Sequence, residues 1–257
     1  MSKFIDKLNQ VSPALSQPMG FRPTPSAAPK PKILLIASLN QANAGEMADY
    51  LAGADTGLLH ISDLTSGAKA LQKIRQIVSD IPWGGWLRDI STVDAKRMVK
   101  VGCDFIVFPA TNTSLAILQD NDMGKILEVE PSLSEGLLRA VNELPVDAVL
   151  IGGKQDRDSF LTWHHLMLFQ RFADLLTKPL LVSIPSHVTD NELQALWEAG
   201  VDGVIVEVQV GQPVERLKEL RQTIDKLVFP SQRKRKKAEV LLPYISRETG
   251  IVSEDEE

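Results

Sequence analysis

A single cysteine, Cys103, occurs among the 257 residues, so no intramolecular disulfide framework exists and a reducing cytoplasm is the expected compartment. Its setting in the apolar run CDFIVF gives it the role of a small core hydrophobe. No uninterrupted apolar run approaches the roughly 18 residues that span a bilayer, and MSKFIDKLNQ lacks the basic-then-apolar pattern of a signal peptide, so no membrane partner is expected. The formal charge of -5 argues against nucleic acid as a partner, and the basic run from Arg233 to Lys237 reads as part of a solvated tail. His-x-His, HExxH and CxxC are all absent, which removes the usual frames for zinc. After the first apolar run stands SLNQANAGE, with no GxGxxG to open a dinucleotide-binding sheet.

What is present is a repeat. Short apolar runs recur along the chain: KILLIAS (32–38), GLLHIS (57–62), PWGGWL (82–87), CDFIVFPA (103–110), KILEVEPS (125–132), VDAVLIGG (146–153), PLLVSIPS (179–186) and VDGVIVEV (201–208). Most are continuously apolar, as expected of parallel strands covered on both faces. Segments with helical spacing lie between many of them, such as TSGAKALQKIRQIV, LTWHHLMLFQRFADLL and PVERLKELRQTIDKL. Ser132 with Glu135, and Thr189 with Glu192, have capping-box spacing, and Gly53, Gly102 and Gly200 each stand two residues before an aspartate that opens a strand. This helix, Gly-x-Asp, strand phrase is an internal repeat. Eight such units in about 200 residues predict an α/β fold, a closed (β/α)8 TIM barrel over 32–230. Residues 1–31 read as a short helix, KFIDKLNQV, followed by a proline-rich leader or strap, and 231–257 as a charged tail with an apolar patch at 240–245.

In a barrel of this kind the site forms at the C-terminal ends of the strands. Strand alternation puts Glu128 and Glu130 of KILEVEPS, and Glu207 and Gln209 of VDGVIVEVQ, on the inner face, so the three glutamates are expected to converge in one mouth. Glu128, Glu130, Glu207 and His60 are the candidate catalytic residues, since a glutamate with a perturbed pKa serves as general acid or base. Arg88, Lys154, Asn40, Gln209 and Ser183 are the candidate substrate-binding residues, with Arg88 or Lys154 receiving an anionic group. A divalent metal on the glutamates is a variant, and a salt-bridge network without catalysis is the alternative. No strand carries a lysine in its middle, so Schiff-base chemistry has only Lys154 to use. The loop GGKQDRDSFLTWHH reads as a flap over the mouth or as a plain surface loop.

KVGCDFIVFPA (100–110) and EAGVDGVIVEV (198–208) resemble the helix-to-strand joints of the TIM-barrel superfamily of phosphate-binding synthases, aldolases and nitronate monooxygenase-like flavin oxidoreductases. In that superfamily, glycine-rich turns after the last two strands commonly hold phosphate, whereas here they read SIPSHVTD and VEVQVGQP. The expected function is a lyase, isomerase or aldolase acting on a small anionic metabolite. The alternatives are a non-catalytic barrel that serves binding or assembly, including as a homo-oligomer, and a flavin oxidoreductase. The residues themselves name no cofactor.

Overall fold

Eight parallel strands form a closed sheet in which each pairs with the next and the eighth with the first. The computed structural model describes residues 2–11, 32–40, 48–88, 92–119, 123–152, 160–209 and 213–227. Helix α1 (Lys3–Val11) precedes the barrel. The strands are β1 (Leu34–Asn40), β2 (Thr56–Ile61), β3 (Trp83–Leu87), β4 (Phe105–Pro109), β5 (Gly124–Val129), β6 (Ala148–Ile151), β7 (Leu180–Ile184) and β8 (Gly203–Glu207). The outer helices are α2 (Leu64–Ile77), α3 (Thr92–Lys100), α4 (Glu135–Val141), α5 (Trp163–Leu175), α6 (Asp190–Glu198) and α7 (Arg216–Lys226). Short 3₁₀ turns at Ala48–Leu51 and Leu115–Gln119 stand where helices would follow β1 and β4. The expected (β/α)8 architecture is therefore present, with two of its helices reduced to turns.

The register shows how the strands are staggered. Inward-facing partners run from Ser38 to Leu58, Gly84, Phe105 and Gly124. After a step of two residues up to Ile126, the path continues to Ala148. A second step of two, to Leu150, leads through Leu181 and Gly203 back to β1 at Leu34, four residues below the start. The total stagger is eight residues, the shear of this barrel class, which tilts the strands by about 36°.

Alternation sorts the apolar side chains into two cores. One lies between the strands and the outer helices, with Leu35, Leu59, Ile106, Leu127, Val149 and Val204 facing Leu71, Leu138, Phe172 and Leu196. The other fills the barrel with Leu34, Ile36, Leu58, Phe105, Val107 and Ile126, and helix α1 adds Phe4, Ile5 and Leu8 to it. Phe4 and Phe105 rings sit 4.4 Å apart. Because Leu34, Phe105 and Gly124 are at strand starts, α1 plugs the N-terminal end of the barrel, away from the mouth.

Four aspartates stand at strand starts, three of them, Asp55, Asp104 and Asp202, from the repeated phrase. Asp55, Asp147 and Asp202 each accept a hydrogen bond from a backbone N–H of the preceding strand: Leu35, Lys125 and Leu180 (2.8, 2.7 and 2.9 Å). The fourth, Asp104, instead takes Ser2 Oγ and the N–H groups of Lys3 and Phe4 (2.7, 2.9 and 2.9 Å), capping α1 from another part of the chain. Gly53, Gly102 and Gly200 have φ of 96°, 80° and 96°, the left-handed geometry that closes a helix or turn before each strand. Arg221 of α7 reaches Asp55 at 2.8 Å, locking the last helix onto the first strand pair.

Two expected details differ. The N-cap of α4 is Ser134, accepting from Leu137 N–H, rather than Ser132. The Thr189 and Glu192 capping box forms as expected, and a second one forms between Thr162 and His165. Among the described residues no helix is long and apolar enough to cross a membrane.

Candidate functional site

The inward residues at the C-terminal strand ends are Ser38 and Asn40 (β1), His60 (β2), Trp86 (β3), Glu128 (β5), Ser183 (β7) and Glu207 (β8), by the same alternation that sends Leu34, Leu58 and Ile205 into the barrel. Arg88 and Gln209 lie past the ends of β3 and β8, where the pleat no longer fixes the direction of a side chain. His60, Trp86, Glu128, Ser183, Glu207 and Gln209 are half-buried, and Arg88 and Asn40 are exposed. The mouth is thus polar and reached by solvent, over an apolar floor.

One side of it is tightly built. The His60 and Trp86 rings stack at 4.3 Å, and Trp86 Nε1–H donates to Glu128 Oε2 at 2.8 Å. Gly152, just past β6, permits this: a Cβ there would lie 2.7 Å from Glu128 Oε1. Glu128 therefore bridges the aromatic wall and the end of β6.

The other side holds groups without partners. Ser38 is 1% exposed, and its Oγ has no hydrogen-bond partner. Its register partners are Glu207 on β8 and Leu58 on β2, one pleat below His60. Among the described residues no hydrogen bond or ion pair holds Glu207. Burial lowers the His60 pKa below the ordinary histidine value, the nearby Glu207 carboxylate opposes this, and Arg88 adds to it. A neutral imidazole is the result near pH 7, a ring that accepts a proton and carries no charge of its own.

The structure does not bring all the expected residues together. Glu130 lies one residue beyond β5, is exposed, and accepts from Ser132 Oγ at 3.3 Å, so of the three glutamates only Glu128 and Glu207 hold inward strand positions. The reason is strand length, since the pleat that fixes inward direction ends at Val129. Lys154, Asp156 and most of the expected flap lie outside the described residues. Among the described residues no group of three or more His, Cys, Asp or Glu side chains comes together as a metal site. Sequence reading also missed the aromatic stack and the buried, unpartnered Thr113 Oγ1 on the loop after β4.

The described turn between β7 and α6 is held by contacts within the chain. At the start of α6, Thr189 N–H and Oγ–H both donate to Glu192 Oε2 (2.8 and 2.7 Å), so the protein supplies its own carboxylate there. Arg216 at the start of α7 donates to the carbonyls of Ser186 and Val188 (2.6 and 3.4 Å), binding the two turns together. A cleft of about 210 Å³ lies at the opposite end of the barrel, beside α1, lined by Lys3, Lys7, Arg75, Asp80 and Asp104 among others. Lys7, Arg75 and Asp104 are already engaged there by Asp55, Val101 and α1, and the cleft is remote from the strand ends where chemistry is placed.

No protein-family model matches the chain. No curated protein matches it either. Solved structures do. A thiamine phosphate pyrophosphorylase from Pyrococcus furiosus is 15% identical over 76% of this chain and 96% of its own, with a TM-score of 0.58. A mutant tryptophan synthase α-subunit from Pyrococcus furiosus is 12% identical over 76% and 97%, with a TM-score of 0.59. An orotidine 5'-phosphate decarboxylase from Pyrococcus horikoshii is 14% identical over 74% and 100%, with a TM-score of 0.55. At these identities the likeness is one of fold, and these neighbours are synthase-type and decarboxylase enzymes built on the barrel.

Proposed function

We propose that the chain is an enzyme of lyase, isomerase or aldolase type that acts on a small metabolite at the barrel mouth. Glu207 and the neutral His60 move a proton to and from the substrate, Arg88 receives an anionic group of it, and Glu128 fixes the aromatic wall through Trp86. The observation that carries this reading is the Ser38 hydroxyl, buried and without a partner beside Glu207. Buried polar groups in proteins are almost always hydrogen-bonded, and exceptions mark a strained or ligand-completed site. Asn40, Ser183 and Gln209, on β1, β7 and just past β8, are neighbours along this side and hold the substrate's polar edge.

The test is the mass of gently purified protein under native conditions against its denatured mass. A constant excess identifies the ligand, after which Glu207→Gln and His60→Gln must each abolish turnover of that compound while leaving the fold intact. Full turnover in both variants overturns the reading.

A second reading, a barrel serving assembly, has one observation in its favour. Phe160, just before α5, and Trp163 and Met167 on it are 70%, 83% and 70% exposed, and Leu137 of α4 is exposed as well. Contiguous exposed apolar groups mark interaction surfaces, and a second copy of the chain is the partner this reading requires. A monomer by sedimentation at micromolar concentration eliminates it.

A further inference from the structure

We propose that the chain forms a two-fold symmetric homodimer through the rim of the barrel beside α4 and the start of α5. Leu115, Leu137, Phe160, Trp163 and Met167 form its centre, and Glu135 of each copy faces the partner's Arg139. This rests on the assembly reading above for the identity of the partner, adds the face and the symmetry, and holds whether or not the mouth is catalytic.

The face arises from helix lengths. At their lower ends α4 and α5 finish level, where Asn142 donates to the Leu175 carbonyl and accepts from Thr177 N–H, both at 2.9 Å. Helix α4 has seven residues and α5 thirteen, so α5 rises about 9 Å above the start of α4 at about 1.5 Å per residue. The unit before α4 has a five-residue 3₁₀ turn in place of a helix, so the outer wall is low over two consecutive units. Trp163, Met167 and Arg171 share one face of α5 by their spacing of four. Arg171, at the foot of that row, donates to the Leu133 carbonyl just before α4 at 2.7 Å. Trp163 and Met167 continue the row above it, 83% and 70% exposed, on the side where α4 has ended. Leu137 in the first turn of α4 and Leu115 in the 3₁₀ turn, 57% and 81% exposed, belong to the same low stretch.

Composition, area and charge select a second copy as what covers it. Residues 160–170 contain no Asp, Glu, Lys or Arg, the composition of an interface core rather than of a lipid-bound helix, whose polar side carries Lys and Arg. Phe160 and Trp163 together expose roughly 300 Å², at about 150–250 Å² for a whole aromatic side chain. Met167, Leu137 and Leu115 extend this toward the apolar core of an interface that takes about 800 Å² from each partner. Gly136, in the first turn of α4, has open space where a Cβ would stand, so no packing among the described residues requires glycine there. A helical glycine is unfavourable relative to alanine, and the close approach of a second backbone accounts for it. Charge at the edge is self-complementary. Glu135 and Arg139 lie about one turn apart on the exposed side of α4, and neither side chain has a hydrogen bond or ion pair among the described residues. In an isologous contact each residue that meets a second is met by it in turn, so a two-fold axis beside α4 pairs Glu135 with the partner's Arg139 twice. This face lies across the ring from β8, β1 and β2, so the dimer leaves the side of the mouth that carries Glu207 and His60 open.

The experiment is sedimentation equilibrium of the full chain from low to high micromolar concentration, where the wild type is expected to be a dimer. Trp163→Asp is expected to weaken dimerisation at least about thirtyfold, as loss of a central aromatic anchor does, with the circular dichroism of the wild type because the side chain is exposed. Ile77→Lys, at an exposed apolar residue that ends α2 away from this face, is expected to leave the dimer as it is. Glu135→Arg sets two pairs of like charge across the axis and is expected to weaken the dimer about fivefold, and adding Arg139→Glu is expected to restore it. A wild type that stays monomeric at high micromolar concentration overturns the inference and the assembly reading together. A dimer that remains as tight in Trp163→Asp and Met167→Asp as in the wild type overturns the inference and leaves the assembly reading standing. A double exchange no tighter than Glu135→Arg alone overturns the two-fold arrangement.

Discussion

Ser38→Ala separates a structural from a ligand-binding role for the hydroxyl at the base of the mouth. Ser38 Oγ is buried without a hydrogen-bond partner, and such a group costs about 1–3 kcal/mol of desolvation that no bond returns. Removing the oxygen leaves a void of roughly one atom, worth a few tenths of a kcal/mol at about 24 cal/mol per Å³. The net expectation is a gain of about 1 kcal/mol, or roughly 2–4 °C in melting temperature for a chain of this size. Urea unfolding of exhaustively dialysed protein measures it, with an unchanged m-value required for the comparison to hold. Ser183→Ala, at a half-buried position on β7, is the control and should stay within about 0.5 kcal/mol. The same Ser38→Ala protein should bind its ligand more weakly, so stability and affinity move in opposite directions, as they do where a site is kept unsatisfied for function. A loss of stability above about 0.5 kcal/mol in the dialysed protein would mean that the hydroxyl is already engaged, and the case for a ligand completing the site would fall with it.

Phe4→Ala, emptying a fully buried position against Phe105, should cost about 3–5 kcal/mol, and Asp104→Ala, which strips three hydrogen bonds from the start of α1, about 1–2 kcal/mol; equality with wild type in urea unfolding would show that α1 does not seal the barrel. The Cys103 thiol, pushed up to about 12 by burial, should resist a thiol reagent in the native state and react only on unfolding, so labelling at the rate of a free thiol refutes its placement. His60 has a folded pKa below its unfolded value of about 6.5, so the unfolded chain takes up a proton first as pH falls and stability declines from about pH 6.5 down to the lowered folded value. His165, lowered by burial and by His164, acts in the same direction. His60→Phe should therefore flatten, without abolishing, the pH dependence of the urea midpoint below about pH 6.5, and an unaltered slope would contradict the buried neutral imidazole.

The barrel was legible because its signals are local. Continuous apolar runs, the Thr189 and Glu192 spacing and the Gly-x-Asp phrase each report on a few neighbouring residues, and each has its structural counterpart. Alternation also placed Glu128, His60 and Glu207 on the inner face. What stayed hidden depends on which strands meet and at what height. The stack of His60 on Trp86 and the bond from Trp86 to Glu128 join β2, β3 and β5 through a stagger that no single segment encodes. Glu130 illustrates the converse: the period of two carries it inward on paper, yet β5 ends at Val129 and the pleat with it. Asp104 has the same sequence setting as Asp202, and only the approach of α1, a hundred residues earlier in the chain, turns its carboxylate to a different task.

The two ends of the barrel explain why a glutamate can occupy the close of β8. Helix α1 fills the lower end with Phe4, Ile5 and Leu8, while at the upper end Glu207 is half-buried and has Ser38 as its register partner. Barrels that bind phosphate keep open N–H groups after their last two strands. Here Glu192 answers those of α6 and Arg216 ties the turn after β7 to α7, which leaves that quadrant without an open anion site among the described residues. With no anion to repel at that point, a carboxylate at position 207 costs little electrostatically, and it becomes the group that selects the charge of whatever enters. An acidic ligand held beside it would have to overcome like-charge repulsion in a partly desolvated mouth, worth about 4 kcal/mol at a separation of 4 Å and an effective dielectric near 20. A ligand that offers Glu207 a hydrogen-bond donor avoids that cost.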